Sequence, residues 1–255
     1  NGSRRGIHKT TRGCVCVNVN QFIYNGKRSY DDMDLIITET PAIVAPERDI
    51  SFTSIPGKSG DVISDNGRYK NIEKEYRVTA IADPFDMPLL AKKITAWLQS
   101  EAGYGLLSDT YDPNYFYYAR YTGKISIADK MRLLGAATLK FYCKPFKYSF
   151  EGQKAFSITT AATVINPEGC EATPYIKITG SGDITLSINN ASFAFVGVDE
   201  YIEVDSEMMI AFKGTALQNN KTLFTDFPKL SPGTNNISWT GAVASVEIVP
   251  RWCAL

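Results

Sequence analysis

The chain has 255 residues, 44% of them hydrophobic and 21% charged, with 27 basic and 27 acidic side chains. This is the composition of a folded protein of one large or two ordinary domains, and no apolar run approaches the roughly 18 residues of a membrane span. The charge is unevenly placed: residues 1–150 hold 21 Lys/Arg against 16 Asp/Glu, and residues 151–255 hold 6 against 11. Arg4, Arg5, Lys9 and Arg12 account for most of the basic excess, so it belongs to a leading tail and does not mark a nucleic-acid face. Residues 1–18 are read as that leading tail or as an expression-derived segment. The first dozen residues are basic and polar, unlike a signal peptide. The five cysteines, Cys14, Cys16, Cys143, Cys170 and Cys253, have neither zinc-site nor CxxC spacing, and are read as structural thiols of a protein made in a reducing cytoplasm.

In chain order, Gln21–Tyr30 (QFIYNGKRSY) is predicted to be a hairpin, because Asn25-Gly26 suits a turn that needs positive φ at both positions. Leu35-Ile36-Ile37 is a short strand after Asp31, Asp32 and Asp34, and Arg48–Phe52 alternates again. Residues 55–71 (IPGKSGDVISDNGRYKN) are too polar for core. Turns at Gly57 and at Asn66-Gly67, with Val62-Ile63 between them, make this stretch a projecting arm. Glu75–Ile81 is a strand. Asp86 and Pro88 suit a helix start, Leu90, Ile94, Trp97 and Leu98 form one apolar stripe, and Gly103 is the expected stop.

Two aromatic strands follow, Tyr111–Tyr121 and one around Phe141–Tyr148, joined by a polar turn and a short strand; Pro145 is expected to end the second. The chain changes character across Phe150–Phe156. Beyond it, short strands recur at Tyr175–Thr179, Asp183–Ile188, Ser192–Val196, Tyr201–Val204, Met208–Phe212, Asn236–Trp239 and Val243–Val249, with a tight turn at Asn189-Asn190. The expected architecture is an α+β first domain, residues 19–150, mostly strand with one packed helix, followed by an all-β sandwich over 151–255.

Catalytic motifs are sparse. The single histidine, His8, lies in the leading tail, which removes histidine-based triads and His-ligated metals from a folded site. Gly57-Lys58-Ser59 resembles the end of a phosphate-binding loop, but Phe52 stands where that loop needs its first glycine. Asp31-Asp32-Met33-Asp34 lacks the glycine and distal Glu of a calcium loop. Asp109 and Asp112 suit a hydrolytic acid pair or, equally, a turn. Trp239 and Trp252 suit sugar stacking or core packing. The chain is expected to be neither an enzyme nor a cofactor binder.

An ordered set of segments carries a resemblance: FIYNGKRSYDDMDL, then RDISFTSIPGKSGDVISDNGRY, a Trp-bearing helix, LLSDTYDPNYFYYARY and LKFYCKPFKYS. Over about Val19–Ser149 the chain resembles the distal tail (Dit) proteins of long-tailed phages and prophages of Gram-positive bacteria. Ser108-Asp109, Tyr117-Tyr118-Ala119 and the Phe141-x-Cys143-x-Pro145-Phe146-x-Tyr148 close are the most specific parts. The second half, ending PRWC, is similar in kind to their galectin-like or carbohydrate-module-like domains. The resemblance implies a structural virion protein of the tail tip, synthesised in the bacterial host cytoplasm, without membrane insertion. It implies a homo-hexameric ring hub between the tail tube and the tail-associated (Tal) protein, with DNA only as passing cargo, and outward domains that carry receptor-binding or baseplate proteins. In that setting Pro56, Gly57, Lys58, Gly60, Asp61, Asn66, Gly67 and Arg68 belong to an inter-subunit arm. The alternative reading is a carbohydrate-binding module for host cell-wall glycan.

Overall fold

The computed structural model describes residues 19–80, 86–100, 102–123 and 137–255. The expectations for the leading tail with His8, Cys14 and Cys16, for Ile81, and for most of the polar link after Tyr121 lie outside these residues. In chain order the first half holds β1 (Phe22–Tyr24), β2 (Lys27–Arg28), β3 (Leu35–Ile37), β4 (Arg48–Thr53), β5 (Val62–Tyr69), β6 (Ile72–Ala80), helix α1 (Met87–Leu98), β7 (Gly105–Asp109), β8 (Tyr115–Tyr121) and β9 (Ala137–Ser149). The second half holds β10 (Phe156–Ile158), β11 (Ala162–Asn166), β12 (Tyr175–Ile188), β13 (Ala191–Val198), β14 (Tyr201–Asp205), β15 (Ile210–Lys213), β16 (Ala216–Leu217), β17 (Gly233–Val249) and β18 (Cys253–Ala254).

The first sheet runs β2-β1-β7-β8-β9-β6-β3, with β18 added to β9. Asn25 (φ 49°) and Gly26 (φ 76°) make the expected hairpin turn between β1 and β2. One face of the sheet buries Phe22, Tyr24, Tyr76, Leu107, Leu139 and Phe141 against Leu90, Ile94, Trp97 and Leu98 of α1. Phe22 stacks on Tyr76 at 4.7 Å and on Trp97 at 5.6 Å. The indole N–H of Trp97 donates to the Tyr24 carbonyl at 2.9 Å, so its polar edge is satisfied inside the core. Two helix signals work differently from the sequence reading. The Asp86 side chain makes no capping bond, and the helix stops at Leu98, with Gln99 as its cap. Gly103 lies beyond the end; the last turn closes through the Gln99 and Ser100 amides instead.

Pro145 does not end its strand: β9 continues from Ala137 to Ser149. The reason is local. Pairing to β6 stops at Cys143, pairing to β18 starts at Lys147, and the β8 ladder has a register shift between Tyr117 and Ala119, which face Lys147 and Cys143. The missing N–H falls in this gap.

In the second half, two predicted strand pairs are each one long strand. β12 and β17 pair with each other over nearly their full lengths, with irregularities at Thr179/Gly180 and Ser181/Thr185. On one side of the irregularity β12 pairs with β14, on the other with β13. Both parts bury side chains in one core, Ile176, Ile178, Val204, Val246 and Ile248 from the first and Ile184, Leu186, Phe193, Phe195 and Ile237 from the second. The chain thus bends from one leaf of a sandwich into the other. The bend needs glycine: a Cβ on Gly180 would sit 2.3 Å from the Ala242 carbonyl, and Gly241 holds φ +101°. Met208 and Met209 belong to the turn before β15 and not to a strand.

The two cores meet in a small cluster of Phe116, Tyr148 and Cys253, with Tyr118, Phe146 and Cys170 against it. β18 returns to the first sheet, Cys253 opposite Tyr148. Arg251 donates through both terminal nitrogens to Asp205 at 2.8 Å each. Tyr115 donates to Glu168 at 2.7 Å and Lys144 to Glu207 at 2.9 Å, so polar contacts also tie the halves together.

One ion pair lies deep in the first lobe. Lys74 Nζ is 2.7 Å from Asp109 Oδ2, with side-chain exposures of 13% and 2%. The Tyr76 hydroxyl donates to the same oxygen at 2.6 Å, and the Tyr111 and Asp112 amides donate to Oδ1 at 3.0 Å each. Burial pushes the Asp109 carboxyl up, but Lys74 and these hydrogen bonds outweigh it and hold it below the usual carboxylate range. Such a pair is costly to break from one side. Asp109→Asn is therefore expected to destabilise by about 3–5 kcal/mol, and adding Lys74→Met to recover most of the loss. A carboxylate with a lowered pKa stabilises above its unfolded value and loses that contribution as pH falls through the folded value. The gap between wild type and Asp109→Asn in urea melts should hold at neutral pH and close below about pH 4. Trp97→Ala is expected to cost about 3–5 kcal/mol, read as a lowered urea midpoint.

Candidate assembly interface

β4 and β5 form a two-stranded sheet that pairs with neither large sheet. Phe52 faces Ile63 and Thr53 faces Val62 across it. The outgoing strand is therefore part of the projection, which the sequence placed only at residues 55–71. The tip holds Pro56, Gly57, Lys58, Gly60 and Asp61; Gly57 (φ 82°) and Gly60 (φ 88°) need the left-handed backbone there, and the Lys58 amide closes a turn on the Ile55 carbonyl at 3.1 Å. Asn66, Gly67 and Arg68 do not form a separate turn. They lie within β5 where the register shifts between Arg48/Tyr69 and Ile50/Asp65. This is a bulge: Gly67 has φ 69°, and its amide donates to Asp65 at 2.8 Å.

The charges on the hairpin's two strands pair with one another. Arg48 pairs with Asp65, and Arg68 with Asp49 at 2.6 Å. The Gly67 amide and Arg48 hold the Asp65 carboxylate below its usual range. At the base, the Lys70 amide donates to the Glu47 carbonyl at 2.8 Å, and Tyr69 meets Phe146 of β9 edge-on at 5.6 Å. Apolar side chains also lie outward, beside the exposed Lys58 and Asp61 of the tip. Phe52 is 60% exposed and Ile63 64%, with Ile55 and Val62 also exposed. Ile43, on the strap that leads into the hairpin, is fully exposed. Phe52 and Ile63 are paired across the hairpin, so two exposed apolar side chains lie together on one of its faces. The alternating Arg48–Phe52 pattern was the sequence signal for the outgoing strand. What the sequence left out was that its apolar side chains face outward.

Beneath the strap a cavity of about 360 Å³ is lined by residues that include Ile43, Ile72, Lys74, Asp109, Tyr117 and Lys147. Asp109 is engaged by its four donors, and Asp112 pairs with Lys147 at 2.8 Å. Since Asp109 accepts from the amide of Asp112, the two acids share one turn, and turn chemistry accounts for both. Asp31 accepts from Gln21 and Arg28, and Asp32 from the Arg28 amide. Among the described residues no group of His, Cys, Asp and Glu is placed to hold a metal ion. Trp239 is half-buried against the second core and Trp252, 7% exposed, lies within it. Stacking a sugar on Trp252 would require drawing it out of that core. The Cys143 thiol is buried, which pushes it up to about 12.

No protein-family model matches the chain, and no curated protein does. Solved structures do. The crystal structure of the Dit protein of phage SPP1, described as a hub of the adsorption apparatus in phages that infect Gram-positive bacteria, aligns with a TM-score of 0.70. The match covers 90% of this chain and 97% of that one at 17% identity. Structures of the phage P2 baseplate in its activated conformation, with calcium or with strontium, align at TM-scores of 0.47 and 0.44 and 10% identity, over 90% of this chain and 97% and 98% of those. Those two are too distant to carry an argument. The SPP1 alignment takes in nearly the whole of both chains, and by it this chain has the fold of a phage distal tail protein.

Proposed function

We propose that this chain is a structural subunit of a phage tail tip, in which residues 19–150 close into a six-membered ring and residues 151–255 point outward. The observation that carries the reading is the likeness to the SPP1 hub protein over nearly the whole of both chains. The hairpin supports it from a separate direction. A closed ring is built from head-to-tail contacts, in which one surface of a subunit meets a different surface of the next. An arm whose ion pairs are satisfied internally and whose apolar residues have no cover in their own chain suits such a contact. In this reading the ring joins the tail tube to the tail-associated protein and surrounds the path of the DNA. The outward lobes carry receptor-binding or baseplate proteins. The polar ties at Lys144–Glu207 and Tyr115–Glu168 would hold each outward lobe in a fixed direction.

The arm assignment has a direct test. Phe52→Ser with Ile63→Ser removes two exposed apolar side chains and touches neither core, so the monomer's thermal melt should be unchanged. Truncating interface anchors costs upwards of about 1 kcal/mol each. Light scattering over a concentration series should therefore show the association midpoint moved about tenfold or more to higher concentration. Deleting Pro56–Arg68 should act in the same direction. A mass distribution identical to wild type would sink the arm.

A further inference from the structure

Cys170 and Cys253 are 83 residues apart in the sequence and converge in the cluster between the lobes. Cys253 lies in β18, held opposite Tyr148 of the first sheet. Cys170 precedes Ala172, which bridges to Leu230 in the second lobe. Their contacts cross. The Cys253 thiol donates to the carbonyl of Glu171, next to Cys170, at 3.5 Å. The backbone N–H of Leu255, two residues beyond Cys253, reaches the Cys170 thiol. The Cys253 sulfur is thus hydrogen-bonded to the backbone next to Cys170, and both cysteines pack in one apolar cluster with Phe116 and Tyr148. The loop before Cys170 is also fixed, since the Asn166 side chain donates to the Cys170 carbonyl at 2.9 Å.

We propose that Cys170 and Cys253, free thiols in this structure, form a disulfide pair that a small-molecule disulfide such as oxidised glutathione closes in the folded protein. Cys170 is the more exposed and reacts first. It gives its proton to solvent, and its thiolate attacks one sulfur of glutathione disulfide. That S–S bond breaks, one glutathione leaves as thiolate, and a mixed disulfide remains on Cys170. Cys253 then loses its proton and attacks the Cys170 sulfur, and the second glutathione leaves. Two protein thiols have given up two electrons and two protons, and one glutathione disulfide has become two thiols. Burial raises both thiols, Cys253 to about 12, so closure is slow at neutral pH and faster in alkali. The bond would tie the strand that returns to the first sheet to the loop that carries Glu168, and so lock the joint between the lobes. If the chain is a virion subunit, the pair stays open during assembly in a reducing cytoplasm and closes after release; this timing rests on the proposed function, whereas the chemistry does not.

The test uses the full folded chain. It is incubated with excess oxidised glutathione at about pH 8.5, then denatured with an alkylating agent present and mapped by mass spectrometry. The expected result is a linked peptide pair containing Cys170 and Cys253, loss of two alkylatable thiols, and a melting temperature about 5–15 °C above that of the reduced protein. Cys170→Ser, which changes the more exposed position, should give no link and the same melting temperature with and without oxidant. The proposal fails if both thiols of the wild type remain alkylatable, if Cys170 stops at a glutathione adduct, or if Cys253 pairs with a different cysteine. Ring formation is read separately by light scattering, so either outcome leaves the assembly reading to its own test.

Discussion

Strand β9 is hydrogen-bonded along one edge to β6 and then to β18, and along the other to β8. Its middle contributes Phe141 and Cys143 to the first core, and its far end contributes Phe146 and Tyr148 to the cluster between the lobes. Phe146 also meets Tyr69 at the base of the hairpin. One strand therefore reaches the core, the arm and the joint. That continuity depends on Pro145 falling where no ladder needs its N–H. Were Pro145 moved two residues earlier, to Cys143, it would sit opposite both Ile72 and Ala119 and break the sheet in its centre.

The buried carboxylates Asp109 and Asp205 are matched by donors, while several apolar side chains of the hairpin are exposed. Asp109 has four donors, and Asp205 is held by Arg251 and by the amides of Glu207 and Met208. In contrast Phe52, Ile55, Val62 and Ile63 are uncovered on the hairpin, and Ile43 on the strap before it. A monomer that satisfies its buried charges gains nothing from exposing such a run. Asp109 and Asp112, the acids that the sequence offered as a pair, are occupied in one turn.

Much of this was legible in the sequence, and what was not has a common cause. The α1 stripe, the Asn25-Gly26 hairpin and the Asn189 turn (φ 54°) are set by residues within one or two turns of each other, so local pattern suffices. The turn at the hairpin tip was legible from Gly57, because backbone with positive φ favours glycine. The return of β18, the continuity of β9 through Pro145 and the bend in β12 and β17 all depend on which strand lies alongside, a partner far away in the chain. Asp86 illustrates the same limit at short range: a residue type suited to capping stands at the helix start and makes no capping bond. At the arm, alternation in Arg48–Phe52 shows a strand, but alternation alone cannot say that neither of its faces meets the core.

The proposed ring closure would be visible directly in images of the particle. Class averages of the purified full chain by negative-stain electron microscopy should show closed rings of six subunits around a central hole, with the second lobes at the rim. Particles the size of a single chain at every concentration, or rings of a different order, would contradict it.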